Sequence, residues 1–433
     1  MTWPVTGATH FGRSADAQPN TVTTLTGARI VVADGVIPNG WITIEGTQIV
    51  AVGPATTTPV AADVDADEPL IDLQGAWLVP GFIDLHMHGG GGHDASNSPA
   101  DMSAAVAFHQ QHGTTRTLIS LAAAPVDELC QQLVWVAELS SAQIVGAHLE
   151  GPFLAHARCG AQNPAHLLAP DLVTLRRLIE AARGRLSTIT IAPELPGAPE
   201  LITAAITAGV VVAIGHSDAT YEQATAAYAS GVMLTTHLFN AMAPFHHRAP
   251  GIIGAAFESE AALEVINDGI HVHPSITALV NRATDRLVLI TDAIAAAGAP
   301  DGEYSLAGQA VRVTAGAARL VSTAGVRPEG VIKPGEQRKA ERRNPTVNDA
   351  LAGSTLTMDD AFRRAVRECD IPIERAVAAA STNPARVLGL SHCAGAIAVG
   401  CDADLVVMDD DLRVVHVAKG GRWTSGDLRT VRG

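Results

Sequence analysis

The sequence predicts an α/β protein in which a (β/α)₈ TIM-like barrel is joined to a small discontinuous β-sandwich domain. From about residue 78 to residue 390, strand-like apolar runs alternate with alanine-rich helical stretches, a pattern typical of a parallel barrel. At both ends of the chain, short β-rich runs are separated by turn-forming residues, which is typical of an antiparallel unit. The two patterns together predict the fold.

The β-sandwich domain is predicted from residues 21–77 plus 395–433. The N-terminal part has strand-like runs at Ala28–Val32, Trp41–Glu45 and Gln48–Val52, with turn residues at Asp34-Gly35, Asn39-Gly40 and Glu45-Gly46-Thr47. The C-terminal part adds runs at Ala403–Met408 and Arg413–Ala418. Neither part is convincing as a complete domain, so we expect the two to fold together.

The barrel is predicted over residues 78–394. Its strands are expected at Leu78–Leu85, Arg116–Ser120, Ile144–Leu149, Ser187–Ala192, Val210–Gly215, Val232–Thr236, Glu264–Ile266 and Leu287–Thr291. Several strands end in a residue that ionises or binds metal: His86, His88, Glu150, His216, His237 and Asp292. All C-terminal strand ends of such a barrel face one mouth, where active sites lie. We therefore expect these side chains to form one site.

Composition excludes several other classes of protein. The 433 residues are 47% hydrophobic and 17% charged, as in an ordinary folded domain, and the net charge of −15 argues against a nucleic-acid partner. The N-terminus lacks a basic segment followed by an apolar one, and no apolar run is long enough to span a bilayer, so we expect no membrane partner and a cytoplasmic location. Five scattered cysteines predict reduced thiols.

Metal binding is the chemistry that these strand ends favour. Side chains alternate along a strand, so His86 and His88 point the same way. Glu150, His216 and His237 add a carboxylate and two imidazoles, the ligand set of a catalytic site with an open position. We expect one or two divalent ions per chain (Zn²⁺, Fe²⁺, Mn²⁺ or Co²⁺), with Glu150 bridging and His86 and His88 holding the second ion.

Amide hydrolysis is a reaction that this ligand set can support. A bound ion would lower the pKa of water and polarise an amide carbonyl, so that hydroxide attacks the carbonyl carbon. Asp292 is expected to act as general base and then as general acid, returning the proton to the leaving amine. The alternative for Asp292 is an N-cap of a helix that starts at Ala293.

Motifs along nearly the whole chain resemble one known family. They are His86-Met87-His88, His148-Leu149-Glu150-Gly151-Pro152-Phe153, Gly215-His216-Ser217-Asp218-Ala219-Thr220, Thr236-His237-Leu238-Phe239-Asn240-Ala241-Met242, Asp268-Gly269-Ile270-His271, Thr291-Asp292-Ala293 and Ala403-Asp404-Leu405-Val406. They are similar to the amidohydrolase superfamily and, within it, to the N-acetylglucosamine-6-phosphate deacetylases. The resemblance implies a homodimeric enzyme of amino-sugar catabolism that releases acetate from N-acetyl-D-glucosamine 6-phosphate.

Lysine usage argues against a large group of related enzymes. Dihydroorotase-like and hydantoinase-like members bridge two metals with a carboxylated lysine on a central barrel strand. This chain has lysine only at Lys333, Lys339 and Lys419, none of them on a predicted barrel strand. Glu150 is therefore the expected bridge.

The resemblance also implies a substrate site. Asn240, Ala241 and Arg248 match residues that bind the sugar phosphate, and the arginine is contributed across the dimer interface. Independently, backbone N–H groups and a guanidinium are a plausible phosphate clamp. His271 matches a substrate-contacting histidine, and the sugar site is lined by the segment Leu351, Ala352 and Gly353.

The chain departs from the family pattern in two places. Where many members carry a histidine that polarises the acetyl carbonyl, this chain has Gln162, which can donate only a neutral hydrogen bond. Nearby Cys159 is expected to be an inert loop thiol, the alternative being a thiol of lowered pKa beside Arg158. The polar stretch 321–348 resembles an inserted loop.

We expect a metal-dependent hydrolase acting on a phosphorylated amino sugar. Two alternatives stay open. One is another hydrolase or deaminase of the same superfamily, acting on a cyclic amide or nucleobase without need of a phosphate. The other is a non-catalytic sugar-phosphate-binding homologue, which the complete set of metal ligands argues against.

Overall fold

A computed structural model of the chain describes residues 22–57, 70–321 and 350–424. Within these ranges every helix is too short or too polar to cross a membrane. The predicted inserted loop 321–348 lies outside the described residues except for Val321. Residues 21, 58–69 and 425–433 of the predicted terminal domain also lie outside them.

The N-terminal segment forms five strands: β1 (Val22–Val32), β2 (Gly35–Glu45), β3 (Gln48–Pro54), β4 (Leu70–Asp72) and β5 (Trp77–Pro80). Strands β1, β2 and β3 are antiparallel neighbours, whereas β4 and β5 run parallel to β1. The predicted turn at Asn39-Gly40 is wrong, because both residues lie inside β2. Gly40 is needed for packing, since a Cβ there would lie 2.7 Å from Ile30 Cδ1.

The barrel follows directly. Its segment contains β6 (Phe82–Asp84), the short hairpin β7 (Gly89–Gly90) and β8 (His93–Asp94), then β9 (Thr114–Ala122), β10 (Ile144–Glu150), β11 (Leu186–Ile191), β12 (Val211–Ile214), β13 (Leu234–Thr235), β14 (Ala262–Ile266) and β15 (Leu287–Ile290). The eight-stranded parallel sheet has the order β15-β14-β13-β12-β11-β10-β9-β6. Bonds from Asp292 N to His86 O and from His88 N to Ala293 O, each 2.8 Å long, join its first and last strands. The predicted barrel is confirmed.

The first predicted barrel strand, Leu78–Leu85, is wrong as a single strand. The amide of Gly81 donates to Asp404 O at 2.8 Å, whereas the next amide, that of Phe82, donates to Gly113 O at 3.0 Å. Neighbouring residues therefore belong to different sheets, and β5 pairs with terminal strands. Glycine at position 81 permits the close approach of this segment to Thr115 of β9, because a Cβ there would lie 2.2 Å from Thr115 Oγ1. The proposed boundary at residue 78 falls inside β5.

Helices pack outside the barrel between its strands. They are α1 (Pro99–Gln111), α2 (Val126–Glu138), α3 (Leu172–Ala182), α4 (Ala198–Thr207), α5 (Tyr221–Ala229), α6 (Gly251–Glu258) and α7 (Pro274–Ala283). Their starts follow from local sequence. Ser98, Asp171 and Thr220 each accept a hydrogen bond from a backbone amide in the first turn, which satisfies a donor that the helix itself leaves free.

A small antiparallel sheet, which the sequence analysis did not predict, follows the last barrel strand. It consists of β16 (Gly302–Leu306), β17 (Gln309–Thr314) and β18 (Ala317–Leu320). Buried side chains on these strands pack against Ile294 and Ala352. The sheet thereby covers the segment that follows Asp292.

The C-terminal segment returns to the N-terminal strands. After α8 (Met358–Arg367), α9 (Ile373–Val377), a π-helical turn (Ala378–Thr382) and α10 (Asn383–Val387), it forms β19 (Leu405–Met408), β20 (Val414–Lys419) and β21 (Arg422–Trp423). Strand β19 pairs antiparallel with β5. At the other end, Ile49 exchanges backbone bonds with Cys401 and Gly400, so the sheet curls around one apolar core. The predicted β domain from both chain ends is confirmed.

Ion pairs fasten this terminal sheet to the barrel. Asp404, which is 5% exposed, accepts bonds from Arg116 Nε of β9 at 2.9 Å and from Lys419 Nζ of β20 at 2.9 Å. Gly420 N donates to the same carboxylate, and Arg116 also contacts Asp402. Burial alone would raise the pKa of Asp404, but the charges of Lys419 and Arg116 outweigh it and lower the pKa.

Candidate metal centre

The barrel brings the predicted strand-end residues to one mouth. His86 and His88 follow β6, Glu150 is the last residue of β10, and His216, His237 and Asp292 follow β12, β13 and β15. All six are at most 8% exposed. Residues far apart in sequence meet here because the C-terminal ends of parallel strands lie at the same end of a barrel.

Glu150 lies at the middle of the cluster. Its Oε1 is 2.9 Å from His216 Nε2 and 3.0 Å from His237 Nε2, and its Oε2 is 3.2 Å from His88 Nε2. His86 Nε2 is 3.5 Å from Oε1. The ligand atoms form two groups that share this carboxylate, one with His86 and His88 and the other with His216 and His237.

Two of the imidazoles are oriented by backbone carbonyls outside the cluster. His216 Nδ1 lies 2.9 Å from Arg158 O, and His88 Nδ1 lies 3.1 Å from Ser120 O. A carbonyl oxygen only accepts, so each Nδ1 carries the hydrogen and, in the neutral ring, each Nε2 directs a lone pair inward. Inward lone pairs and a shared carboxylate are a donor set for a divalent cation.

The protonation behaviour of the cluster points the same way. Burial opposes a charge on His86, yet Asp292 and Glu150 raise its pKa well above the usual range. Likewise burial is outweighed at His88, where Asp292 and Glu150 raise the pKa to about 9. Burial would raise the pKa of Glu150, but His86 and His216 lower it well below the usual range. A site that draws protons onto buried imidazoles also favours a metal cation, and the residues fit one.

Asp292 borders the group that contains His86 and His88. Its Oδ1 is 3.4 Å from each of their Nε2 atoms. Burial would raise the pKa of Asp292, but the charge of His86 and the hydrogen bond from His88 lower it, so the carboxylate is ionised at neutral pH. The alternative of a helix N-cap is wrong, because no helix follows in residues 293–299.

Backbone strain is present at three residues of this site. His216, His237 and Asp292 have φ values of +47°, +30° and +49°, in the left-handed region that non-glycine residues avoid. Such conformations cost about 1–3 kcal/mol each and persist only where the surrounding structure enforces them. At these three residues the surrounding structure enforces the side-chain orientation at the cost of an unfavourable backbone conformation.

Gln162 is 4% exposed and contacts the cluster directly. Its Nε2 donates to Glu150 Oε2 at 2.6 Å, and its Oε1 accepts from Ala123 N at 2.7 Å. The amide orientation is fixed by these two partners. The residue that departs from the family pattern therefore holds the shared carboxylate.

The residues expected to bind phosphate lie just beyond His237. Asn240 Nδ2 donates to His237 O at 3.2 Å, and Ala241 O accepts from Ser217 N at 3.1 Å, so both residues are tied to the strand ends. Arg248 lies on an exposed loop, where its Nη1 contacts His247 Nε2 at 2.7 Å. Within one chain, the arginine is thus directed to the surface.

The residues expected around the sugar flank Asp292 and β14. His271 Nδ1 contacts Asp268 Oδ2 at 2.7 Å, which fixes the ring. Ala352 is buried against β18, and Leu351 forms a bridge to Arg319. Gly353 has φ +60°, and a Cβ there would lie 2.9 Å from Asp292 O, so this approach requires glycine. The segment thereby supports the strained backbone of Asp292.

Two buried residues under the cluster were given no role in the sequence analysis. Glu264, which is 1% exposed, lies 3.7 Å from His86 Nδ1 and accepts from His237 N at 3.3 Å. His148 is bonded to Ser120 Oγ and Thr190 Oγ1, and burial lowers its pKa well below the usual range. A charged residue inside the apolar run Leu263–Ile266 was the available signal for Glu264.

Cys159 matches the expectation of an unreactive thiol. It is half-buried on the loop after Arg158, and burial raises its pKa. The alternative of a lowered pKa is wrong, because Arg158 directs its guanidinium to Asp218 at 2.8 Å. The thiol is thus less ionised than a free cysteine.

Sequence comparison identifies the family to which the chain belongs. Residues 77–424 match the amidohydrolase family, and the chain belongs to that family. It is 34% identical to N-acetylglucosamine-6-phosphate deacetylase of Lysinibacillus sphaericus, over 81% of this chain and 86% of that protein. It is 31% identical to N-acetylgalactosamine-6-phosphate deacetylase of Escherichia coli O157:H7, over 92% of this chain and 97% of that protein.

Solved structures give the same grouping. N-acetyl-D-glucosamine-6-phosphate deacetylase of Mycobacterium smegmatis, in a mutant form bound to N-acetyl-D-glucosamine-6-phosphate, superposes with a TM-score of 0.82. It is 38% identical and covers 93% of this chain and 99% of its own. The chain is therefore similar over nearly its whole length to amino-sugar-phosphate deacetylases.

Proposed function

We propose that this protein hydrolyses the amide of N-acetyl-D-glucosamine 6-phosphate, giving D-glucosamine 6-phosphate and acetate. The observation that carries this proposal is the buried cluster of four imidazoles on Glu150, bordered by Asp292, in a chain whose relatives are deacetylases of such phosphates. The competing hydrolysis of a cyclic amide is not favoured, because those relatives act on linear N-acetyl groups.

The metal-holding residues in this proposal are His86, His88, Glu150, His216 and His237, as two groups that share Glu150. A divalent ion bound there supplies a Lewis acid that lowers the pKa of water and polarises the amide carbonyl. Its identity, and whether one or two ions are held, depend on ligand type and metal availability. Zn²⁺, Fe²⁺, Mn²⁺ and Co²⁺ all suit imidazole and carboxylate ligands.

Asp292 acts as the general base and then as the general acid. Its Oδ1 lies 3.4 Å from the Nε2 atoms of His86 and His88, at the edge of the cluster, where it takes the proton of the attacking water. It then returns that proton to the amine nitrogen, because an amine leaves readily only when it is protonated. Gln162 Nε2, a neutral donor, holds Glu150 in place while charge develops.

Substrate recognition is assigned to the far side of the mouth. Asn240 and Ala241 are assigned to the phosphate, with the backbone N–H of Ala241 as a donor, because that of Asn240 donates to His237 O at 2.9 Å. His271, Leu351, Ala352 and Gly353 line the sugar. We infer that Arg248 acts across a homodimer interface, because its loop is exposed in one chain and carries Phe245 at 58% exposure. Exposed apolar surface beside a phosphate-binding cation favours a protein contact there.

The test is acetate release from purified protein, with N-acetylglucosamine 6-phosphate, its galactosamine epimer and unphosphorylated N-acetylglucosamine compared, each with and without chelator. We expect chelator-sensitive release that requires the phosphate. Arg248→Ala should raise KM with little change in kcat, whereas exposed Arg413→Ala should change neither. Indifference to the phosphate, or no release at all, would refute the proposal.

A cytoplasmic location is proposed as well, and cell fractionation tests it.

A further inference from the structure

Glu194 lies on the loop between β11 and α4, at the end of the barrel that carries the metal cluster. Both of its carboxylate oxygens accept hydrogen bonds from the two residues that follow His216. Oε2 accepts from Ser217 Oγ at 2.5 Å, and Oε1 accepts from Asp218 N at 2.6 Å. Glu194 therefore clamps the chain directly after a residue of the metal cluster.

The clamp has a defined geometry. Ser217 Oγ accepts from Ala219 N at 3.0 Å, which leaves its single hydrogen for Glu194. Hydrogen bonds to a carboxylate are about twice as strong as those between neutral groups. The carboxylate is not used to start α4, which begins after its N-cap Gly197. Its contacts are thus directed to the segment after β12.

His216 needs support from its surroundings. Its φ of +47° is unfavourable for a residue with a side chain, and such a conformation persists only where neighbouring groups enforce it. Its carbonyl accepts from Ala155 N at 3.0 Å, and the next amide, Ser217 N, donates to Ala241 O at 3.1 Å. The two bonds to Glu194 extend this support to the following residues.

A second set of contacts leads from Glu194 to the imidazole ring. Asp218, whose amide Glu194 binds, accepts from Arg158 Nε at 2.9 Å and from Arg158 Nη2 at 2.8 Å. The carbonyl oxygen of Arg158 in turn accepts from His216 Nδ1 at 2.9 Å. The backbone and the ring of His216 are therefore both held by residues connected to Glu194.

We propose that Glu194 is a positioning residue of the metal centre. By holding Ser217 and Asp218, it fixes the His216 ring so that Nε2 faces Glu150 Oε1 at 2.9 Å. The ligand group that contains His216 is thereby preorganised for a divalent cation, as groups behind metal ligands commonly achieve. This inference rests on the proposed function for the presence of a metal, but its main test needs no substrate.

The Zn²⁺ affinity of the purified protein, measured by competition with a chelator, tests this role. Glu194→Ala removes both acceptors and should weaken Zn²⁺ binding about 10- to 100-fold, as expected when a metal ligand loses its orienting partners. Glu194→Gln keeps an acceptor for Asp218 N but offers none to the Ser217 hydroxyl, so its affinity should lie between those of Glu194→Ala and wild type. Glu200→Ala, at an exposed position of α4, is the matched control and should bind Zn²⁺ like wild type.

The same substitution in the His86→Gln, His88→Gln background shows which ligand group is affected. The group that contains His216 alone remains there, so Glu194→Ala should again weaken Zn²⁺ binding about 10- to 100-fold. Loss of the effect in this background would overturn the proposal.

A merely structural role for Glu194 gives a different result. It would lower the thermal unfolding midpoint of the zinc-free protein but leave the Zn²⁺ affinity of the folded protein unchanged, and that outcome would overturn the proposal. Ser217→Ala removes only one of the two bonds and replaces Glu194→Ala if that variant does not fold; unchanged Zn²⁺ affinity in Ser217→Ala would likewise overturn it. Weakened Zn²⁺ binding in a protein that releases no acetate would support the role of Glu194 and refute the proposed function.

Discussion

Replacement of Asp404 by asparagine tests how the terminal sheet is held to the barrel. The carboxylate is 5% exposed and faces two cations, Arg116 Nε and Lys419 Nζ, each at 2.9 Å. Asparagine keeps the shape and can still accept from Gly420 N, but it removes the negative charge. Two cations then face each other, and only the partly exposed Asp402 is left to compensate Arg116.

The expected loss follows from that arrangement. Removing one partner of a buried ion pair costs about 3–5 kcal/mol, because the remaining charge stays desolvated. Asp402 is the matched control. Its side chain is 29% exposed and contacts only the Arg116 end of the network, so Asp402→Asn should cost about 1 kcal/mol or less.

Urea unfolding followed by tryptophan fluorescence measures the difference, because Trp41, Trp77 and Trp423 all lie in the terminal sheet. The pH dependence is a second readout. The pKa of Asp404 is lowered in the folded state, so its stabilisation is present at neutral pH and lost as pH falls through that folded-state pKa. The gap between wild type and Asp404→Asn should therefore close below about pH 4. Equal losses in the two variants, or a gap independent of pH, would refute the reasoning.

Three further predictions concern the metal centre. Asp292→Asn should lower kcat by about 10²- to 10⁴-fold with the metal count unchanged, and a loss below 10-fold would contradict its role in proton transfer. The double variant His86→Gln, His88→Gln should hold one ion per chain by elemental analysis and keep some deacetylase activity; two tightly held ions would show the assignment to be wrong. Glu264→Gln should weaken metal retention in chelator competition by about 10- to 100-fold, since it removes the charge facing His86 Nδ1, and unchanged retention would contradict this.

Much of the barrel could be predicted because its strands are short apolar runs that end at ionisable residues. In a parallel barrel, residues that follow the C-terminal ends of the strands lie at the same end of the barrel. Glu150 and His237 therefore meet, although they are 87 positions apart in the sequence. The prediction required no knowledge of side-chain conformation. It needed only the strand ends and the rule that they share one mouth.

What could not be predicted depends on contacts between distant segments. The break at Gly81 arises because one amide binds Asp404 and the next binds Gly113. Strand β17 does alternate between buried and exposed residues, but only the packing of Ile294 and Ala352 against it distinguishes a separate sheet. The closeness of Glu264 to His86 similarly depends on how the barrel closes.

The pairing of β5 with β19 has a consequence for the order of synthesis. Strand β5 leads within a few residues into His86, yet its antiparallel partner is residues 405–408, near the end of the described chain. On the ribosome, this edge of β5 stays open until residues 405–408 have been translated. An unpaired apolar edge is a site for association with other chains. A nascent chain of this protein therefore depends on residues 405–408, or on a chaperone, to protect the segment that leads into His86 and His88.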